Sequence, residues 1–337
     1  MRLQVLEDMH MRQQITDFAK SLGFDLVGFS PAKIDERYLQ AFDEWLANNH
    51  EADMSYMQKV QQRRDLTEIL PNAKSVIVLA TNYHNEQSPL KKDHGRVARY
   101  AFGRDYHKII SKRLKKLRIY IEELAPQSQN KAYVDTGPIL ERALAEQAGI
   151  GRIGKNAMLI TPEFGSWVFL SEIITTIDLG LPLAPSPPSN SGDIPRINTA
   201  WSNPSHKPAN VCGACTKCVD ACPTGAIIAP GVIDSRLCIS YLTIENRDKI
   251  PPKLAKIIAK QKLLYGCDIC QEVCPHNQKR QLPSDLAPTP IAGDQIATDS
   301  IPKTDELFLE RFAGSPLMRA KRKGLTRNAE VLSQNRI

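Results

Sequence analysis

The sequence predicts a mixed α/β or α+β domain, a small metal-binding module behind it, and a short helical tail. Three observations predict this. Residues 1–178 alternate helical and strand-like hydrophobic patterns. All eight cysteines fall between Cys212 and Cys274. Proline-rich stretches at 179–210 and 283–302 separate the blocks; seven of the 32 residues of the first are proline, which marks a linker or long loop. The expected organisation is therefore an α/β domain over 1–178, a linker over 179–210, a cysteine module over 211–282 and a tail over 283–337.

Element by element, residues 8–22 repeat apolar side chains at helical period, 26–29 form a short apolar run, and 34–48 are helical again. Residues 75–81, SVIVLAT, have the β-branched richness of a buried strand. Residues 107–124 carry Ile109, Ile110, Leu114, Leu117 and Ile121 on one face and six lysines and arginines mostly on the other. Residues 131–135 read as a strand, 139–147 as a helix and 167–176 as a strand. In the tail, 304–312 and 327–333 are helical patterns.

At 337 residues the chain is too long for a lone cysteine module and long enough for two domains. Its 42% hydrophobic and 24% charged residues are those of an ordinary globular protein. Forty-four basic against 37 acidic residues leave a net charge of +7, which suits a polyanionic partner. No apolar run approaches a membrane span, and residues 1–20 lack a signal-peptide core. The expected location is the cytoplasm.

The cysteines carry the clearest chemistry. Cys212, Cys215, Cys218 and Cys222 stand as C-x2-C-x2-C-x3-C-P, the spacing that holds [4Fe–4S] cubanes, and Cys267, Cys270 and Cys274-Pro275 repeat its second half. Three cysteines in such a run reach three corners of one cubane, and the fourth passes to the other cluster. This assigns Cys212, Cys215, Cys218 and Cys274 to one cluster. Cys222, Cys267, Cys270 and the solitary Cys238 make the second. Structural zinc also uses C-x2-C pairs, but has no need of two runs that each end in Cys-Pro.

Two motifs mislead. Gly149-Ile150-Gly151-Arg152-Ile153-Gly154 matches G-x-G-x-x-G, yet a helical pattern precedes it and a strand-like one follows, the reverse of a dinucleotide fold. Its glycines serve positive φ or close backbone approach to a bulky ligand. Asp105-Tyr106-His107 begins D-x-H-x-x-G, a cobalt-ligating pattern, but Ile110 stands where the glycine belongs. Asp105 is therefore expected to cap a helix, with a pocket role open for Tyr106 or His107. In Tyr133-Val134-Asp135-Thr136-Gly137-Pro138, an acid stands between a strand and a helix. Two readings stand: Asp135 or Thr136 caps the helix, or a water-shielded Asp135 with raised pKa donates a proton.

Together, RYAFGRDYHKII, VDTGPILERALAEQAGIGRIGKN, CGACTKCVDACPTGAI and LYGCDICQEVCPHN resemble the epoxyqueuosine reductase family, over nearly the whole chain. The resemblance implies a nitroreductase-like cobalamin-binding domain, related to reductive dehalogenases, with a ferredoxin-like module of two [4Fe–4S] clusters. It implies reduction of the epoxide of epoxyqueuosine in a tRNA anticodon loop to queuosine. An external electron donor of reductase, flavodoxin or ferredoxin type is implied, and a monomer is expected. Carried over by position, Asp135 becomes the proton donor. Arg63, Ala98, Arg99, Asp135, Gly154, Lys155, Asn156, Leu159, Ser240 and Asp268 fall near the cobalamin. Some family members extend into helical repeats, and this chain stops at Ile337; Arg319, Lys321, Arg322, Lys323 and Arg327 are left as tRNA phosphate contacts. Three rivals use part of the same residues: a soluble dehalogenase-like reductase, though a twin-arginine signal is missing; a non-catalytic electron carrier; and a tRNA-binding protein without catalysis.

Overall fold

The computed structural model describes residues 2–181, 211–278, 286 and 291–334. Most of the linker, and the start of the second proline-rich stretch, lie outside the described residues. Four strands, β1 (Leu26–Pro31), β2 (Ser75–Asn82), β4 (Asn130–Tyr133) and β7 (Val168–Thr175), form a sheet in the order β1-β2-β7-β4. Every pairing in it is antiparallel, so α+β describes the domain better than alternating α/β.

Strand β2 shows why this sheet needs two helical layers. All eight of its residues are buried. Ile77 and Leu79 point to one side, where Ile15 and Ala19 of α1 (Arg2–Ser21) meet Ile110, Leu114, Leu117 and Ile121 of α4 (Tyr106–Leu124). Val76, Val78 and Ala80 point to the other, against Leu39 of α2 (Glu36–Ala47) and Leu144, Ala145 and Ala148 at α5 (Glu141–Gln147). The strand's period of two thus feeds two cores from one apolar run. Asp105 caps α4 as expected, accepting the His107 backbone N–H at 3.1 Å. Between α2 and β2, the short helix α3 (Val60–Arg64) carries Arg63 inward.

A second core crosses the expected domain boundaries. Strand β3 (His94–Val97) from the first domain pairs parallel with β10 (Leu263–Tyr265) and antiparallel with β11 (Gln295–Ala297). Helices α7 (Ile239–Ile244), α8 (Pro252–Gln261), α10 (Asp305–Phe312) and α11 (Lys321–Gln334) pack on this sheet through Ile258, Leu264, Phe308, Phe312 and Leu325. The insertion between Cys238 and Cys267 and the tail are therefore one structural unit with residues 94–102. Gly95 allows the close fit, since a Cβ there would come within 2.6 Å of Leu332 and Leu264. The cysteine runs flank the unit: α6 (Lys217–Ala221) packs on α9 (Ile269–Glu272), with a hairpin of β8 (Ile227–Ala229) and β9 (Val232–Ile233) beside them. Among the described residues, no helix is long and apolar enough to cross a membrane.

Asn328 of α11 locks this unit. It is fully buried, and its amide donates to the carbonyls of Thr243 (2.8 Å) and Leu264 (2.9 Å). Replacing Asn328 by Leu strands two buried carbonyls, so we expect a loss of about 2–4 kcal/mol in denaturant unfolding. An unchanged midpoint would show that the tail is not part of the second core.

Candidate functional site

Asp135 follows β4 in a three-residue turn, closed by a hydrogen bond from the Thr136 N–H to the Val134 carbonyl at 2.6 Å. Its φ is +58°, a left-handed value that aspartate tolerates better than most residues. Helix α5 begins only at Glu141, behind Leu140, and no side chain caps it. The capping alternative is thus excluded. The carboxylate instead accepts the Tyr106 hydroxyl at 2.7 Å and contacts His107 Nε2 at 3.2 Å, while His107 Nδ1 meets Asp105 at 2.7 Å. Two consecutive residues in the first turn of α4 therefore grip Asp135, and the helix cap grips His107.

The charges follow from this geometry. Burial pulls the His107 imidazolium down, but the Asp105 and Asp135 carboxylates outweigh it and hold its pKa at about 9. Desolvation pushes Asp135 up, yet the bonds from His107 and Tyr106, with the Arg319 charge nearby, hold it below the usual carboxylate range. The expected raised pKa is therefore corrected: water reaches 58% of the Asp135 side chain, and a cation sits beside it. At neutral pH the site's mobile proton rests on His107.

Around this group stand Tyr56 and Arg319, whose guanidinium lies 5.7 Å from the Tyr56 ring. Tyr106 stacks on Phe169 (3.9 Å), Phe169 meets Tyr83 (4.4 Å), and the Tyr83 hydroxyl lies 3.4 Å from Gln271 of α9. An aromatic layer thus links Asp135 to the cysteine module. Arg63 is buried, donating to the Ile139 carbonyl at 2.8 Å, and among the described residues its Nε–H has no acceptor. Arg99 and Asp268 meet directly: the Arg99 N–H donates to the Asp268 carboxylate at 2.8 Å and its guanidinium lies 3.4 Å away. The same guanidinium binds Glu272 at 2.6 Å and lies over Trp167 at 4.8 Å. Burial pushes Asp268 up to about 6. Ala98 donates its N–H to the Tyr265 carbonyl at 2.8 Å.

None of the eight cysteines is in a disulfide, and they form two neighbourhoods. Cys218 faces Cys212 and Cys274, and Cys274 faces Cys212 and Cys215. Cys267 and Cys270 both face Cys238 and Cys222. Burial pushes Cys267 up to about 12 and Cys270 well above a free thiol. Among the described residues, no three His, Cys, Asp or Glu side chains converge on one ion's position; a four-iron cubane spreads its thiolates over a larger body. The Ser240 hydroxyl reaches Cys238.

The glycine loop has a local cause. Helix α5 precedes it, and β5 (Arg152–Ile153) pairs back on β6 (Leu159–Ile160), confirming the reversed context. A Cβ on Gly151 would sit 2.5 Å from the Ile160 carbonyl oxygen, and one on Gly154 2.6 Å from the Ile160 side chain. The close approach is thus to its own hairpin. Leu159 is buried in the core beside it. Lys155 binds the carbonyls of Gly213 (2.9 Å) and Cys215 (3.0 Å), and Asn156 that of Cys270 (3.4 Å). These two residues fasten both thiol groups to the catalytic domain.

The tail cations are mostly engaged. Arg319 forms two bonds to Glu245, and Arg322 binds Asp305. Arg327 bonds the carbonyls of Leu242, Asn246 and Asp248 and the Asn328 side chain, spending all five donors. Its expected phosphate contact is corrected: it is a structural strut. Among the described residues, Lys321 and Lys323 carry no such bond. Sequence reasoning missed Glu141 and Glu172 beneath Asp135; an acid inside the apolar run VFLSEIIT was the available signal.

Because the folded pKa of His107 exceeds the ordinary 6.5, its contribution to stability is full below about 6.5 and lost as pH rises through about 9. Between about pH 6 and about pH 10, the wild-type melting temperature should fall more than that of His107→Gln. Equal falls would show that His107 is not held protonated.

Comparison with known proteins agrees with this geometry. The family described as Epoxyqueuosine reductase QueG, DUF1730 matches residues 63–136, and the 4Fe-4S double cluster binding domain matches residues 211–277. The epoxyqueuosine reductase of Gloeobacter violaceus is 40% identical, covering 94% of this chain and 93% of its own. That of Synechocystis sp. is 41% identical over 87% and 94%. A crystal structure of epoxyqueuosine reductase with an epoxyqueuosine-modified tRNA-Tyr stem loop superposes with a TM-score of 0.81 at 29% identity, over 97% of this chain and 82% of that one. The Bacillus subtilis enzyme, with its catalytic aspartate loop swung out of the active site, gives 0.79 at 28% identity over the same shares. This chain belongs to the epoxyqueuosine reductase family of oxidoreductases.

Proposed function

We propose that the chain reduces the epoxide of epoxyqueuosine in a tRNA anticodon loop to the alkene of queuosine, in the cytoplasm and as a monomer, with electrons from an external carrier. The observation that carries this reading is the Asp135 carboxylate held between Tyr106 and His107, joined through an aromatic layer to two groups of four thiols. Two electrons and two protons enter, the epoxide oxygen leaves as water, and a carbon–carbon double bond remains.

Cys212, Cys215, Cys218 and Cys274 would hold one [4Fe–4S] cluster and Cys222, Cys238, Cys267 and Cys270 the other; the clusters supply electrons when bound. Cobalamin, when bound, supplies the low-valent cobalt for breaking the carbon–oxygen bond. Among the described residues the buried Arg63 Nε–H lacks an acceptor, and a corrin's peripheral amides offer such acceptors. Arg63, Asp135 and Ser240 retain polar atoms for it. Gly154 and Leu159 would offer main chain, while Ala98, Arg99, Lys155, Asn156 and Asp268 serve chiefly by fixing the wall between the domains.

The chain's own chemistry is proton supply and orientation. Asp135 is ionised at rest, so the proton it gives the departing oxygen comes from His107, across the 3.2 Å contact. Asp105 keeps the imidazole turned toward Asp135. Tyr56 and Arg319 line the approach and favour an anionic substrate.

For the RNA, Lys321 and Lys323 form no side-chain bond among the described residues, but the longer cationic surface runs along the start of α4. Arg104, Lys108, Lys112 and Arg113 line a cleft of about 580 Å³ against Ala313 and Gly314, with Asp105 as its acid. This stripe starts at the chain neighbours of Asp105 and His107, where stem-loop phosphates would lie when the modified base is splayed out.

With clusters reconstituted anaerobically, cobalamin and reductant added, nucleoside mass spectrometry should detect queuosine from epoxyqueuosine-containing tRNA. No product from wild type, where a known reductase works, contradicts the reading. Asp135→Asn should lower kcat by about 100-fold or more; full turnover would remove Asp135 from the chemistry. Lys108→Glu with Lys112→Glu should raise KM for tRNA about tenfold, leave kcat unchanged and reduce the salt dependence. An unaltered KM would move the RNA elsewhere.

A further inference from the structure

Beneath Asp135 lies a group that the proton path above does not use. Glu172 sits mid-strand in β7, opposite Val78 of β2 and Tyr133 of β4, and is fully buried. Neither carboxyl oxygen has a hydrogen-bond partner among the described residues. The charged groups that face it are acids, Glu141 and Asp135. The Glu141 carboxyl is its polar neighbour, and two ionised carboxylates cannot bond each other. The contact becomes a hydrogen bond only when one proton stands between them.

Glu141 in turn touches the catalytic loop. It accepts the Asp135 main-chain N–H at 2.8 Å, the residue whose φ of +58° needs an external hold. We propose that Glu172 and Glu141 form a one-proton carboxyl clamp beneath the catalytic turn: Glu172 positions Glu141, and Glu141 fixes the backbone of Asp135. Both are positioning residues. The proposal rests on the reading of Asp135 as the group beside the reacting epoxide.

The surroundings fit a single shared proton. Burial raises Glu141 to about 8, and Asp135 adds to this, while Arg142 on its own helix and Arg63 from α3 oppose it. Tyr106 of α4 also faces Glu141. Burial keeps Glu172 well above the usual carboxylate range, with Glu141 and Asp135 acting in the same direction. Because burial and the neighbouring acids raise both carboxyls, the pair keeps a proton through neutral pH.

Three variants and two readouts test the clamp in the reconstituted enzyme. Glu141→Leu removes the acceptor for the Asp135 N–H; kcat should fall about tenfold or more with KM for tRNA within about twofold. Glu141→Gln restores an acceptor and should recover most of kcat. Glu172→Gln donates to Glu141 at every pH, so it should keep neutral-pH turnover. Infrared spectroscopy needs no turnover: wild type at neutral pH should show the carbonyl band of a buried protonated carboxylic acid, absent in Glu172→Gln. A Glu141→Leu enzyme with wild-type kcat, or a band that survives in Glu172→Gln, overturns the clamp. An inactive wild type that still shows the band would instead fault the assigned reaction.

Discussion

The site depends on one ion pair, His107 with Asp135. An aspartate at the end of an edge strand, in a left-handed turn and reached by water, would ordinarily point where solvent takes it. Here the first turn of α4 supplies a phenol and an imidazolium that fix its carboxylate, and Asp105 fixes the imidazolium from behind. The position of α4 follows from the core, since Ile110, Leu114, Leu117 and Ile121 bury its other face on the sheet. The apolar stripe of a helix thus sets the angle at which His107 meets Asp135.

A second constraint joins this site to its electron supply. Residues 94–102 leave the first domain, become the middle strand of the second sheet, and end at Arg99 on Asp268, one residue from Cys267. Lys155 and Asn156 hold the two thiol groups from the opposite side. Arg99 is nearly buried between Asp268, Glu272 and Trp167, so removing its charge would leave Asp268 with less support against burial. The placing of the cysteine module against the Asp135 domain is therefore held by the same packing that forms the second core.

Much of this was legible in the sequence. The strands at 75–81 and 167–176 and the helix at 107–124 announced themselves by period, and seven cysteines sorted into two groups by spacing, with Cys238 added to complete the count. The second core was not legible. Strands β3, β10 and β11 have three or four residues each, too short for a periodic signal, and they come from three separated parts of the chain. Arg327 looked like one more basic residue, because nothing local reveals that three distant carbonyls wait for it. The raised pKa expected of Asp135 failed for a related reason: an acid's neighbours, not its place at a strand end, set its charge.

The central claim is that His107 carries the proton and Asp135 the negative charge in the resting enzyme. Nitrogen-15 chemical shifts of histidine-labelled protein, assigned with His107→Gln and followed against pH, test it directly. The account predicts an imidazolium at His107 through neutral pH that titrates at about 9. A neutral His107 ring at pH about 7, near the ordinary histidine behaviour, would contradict it.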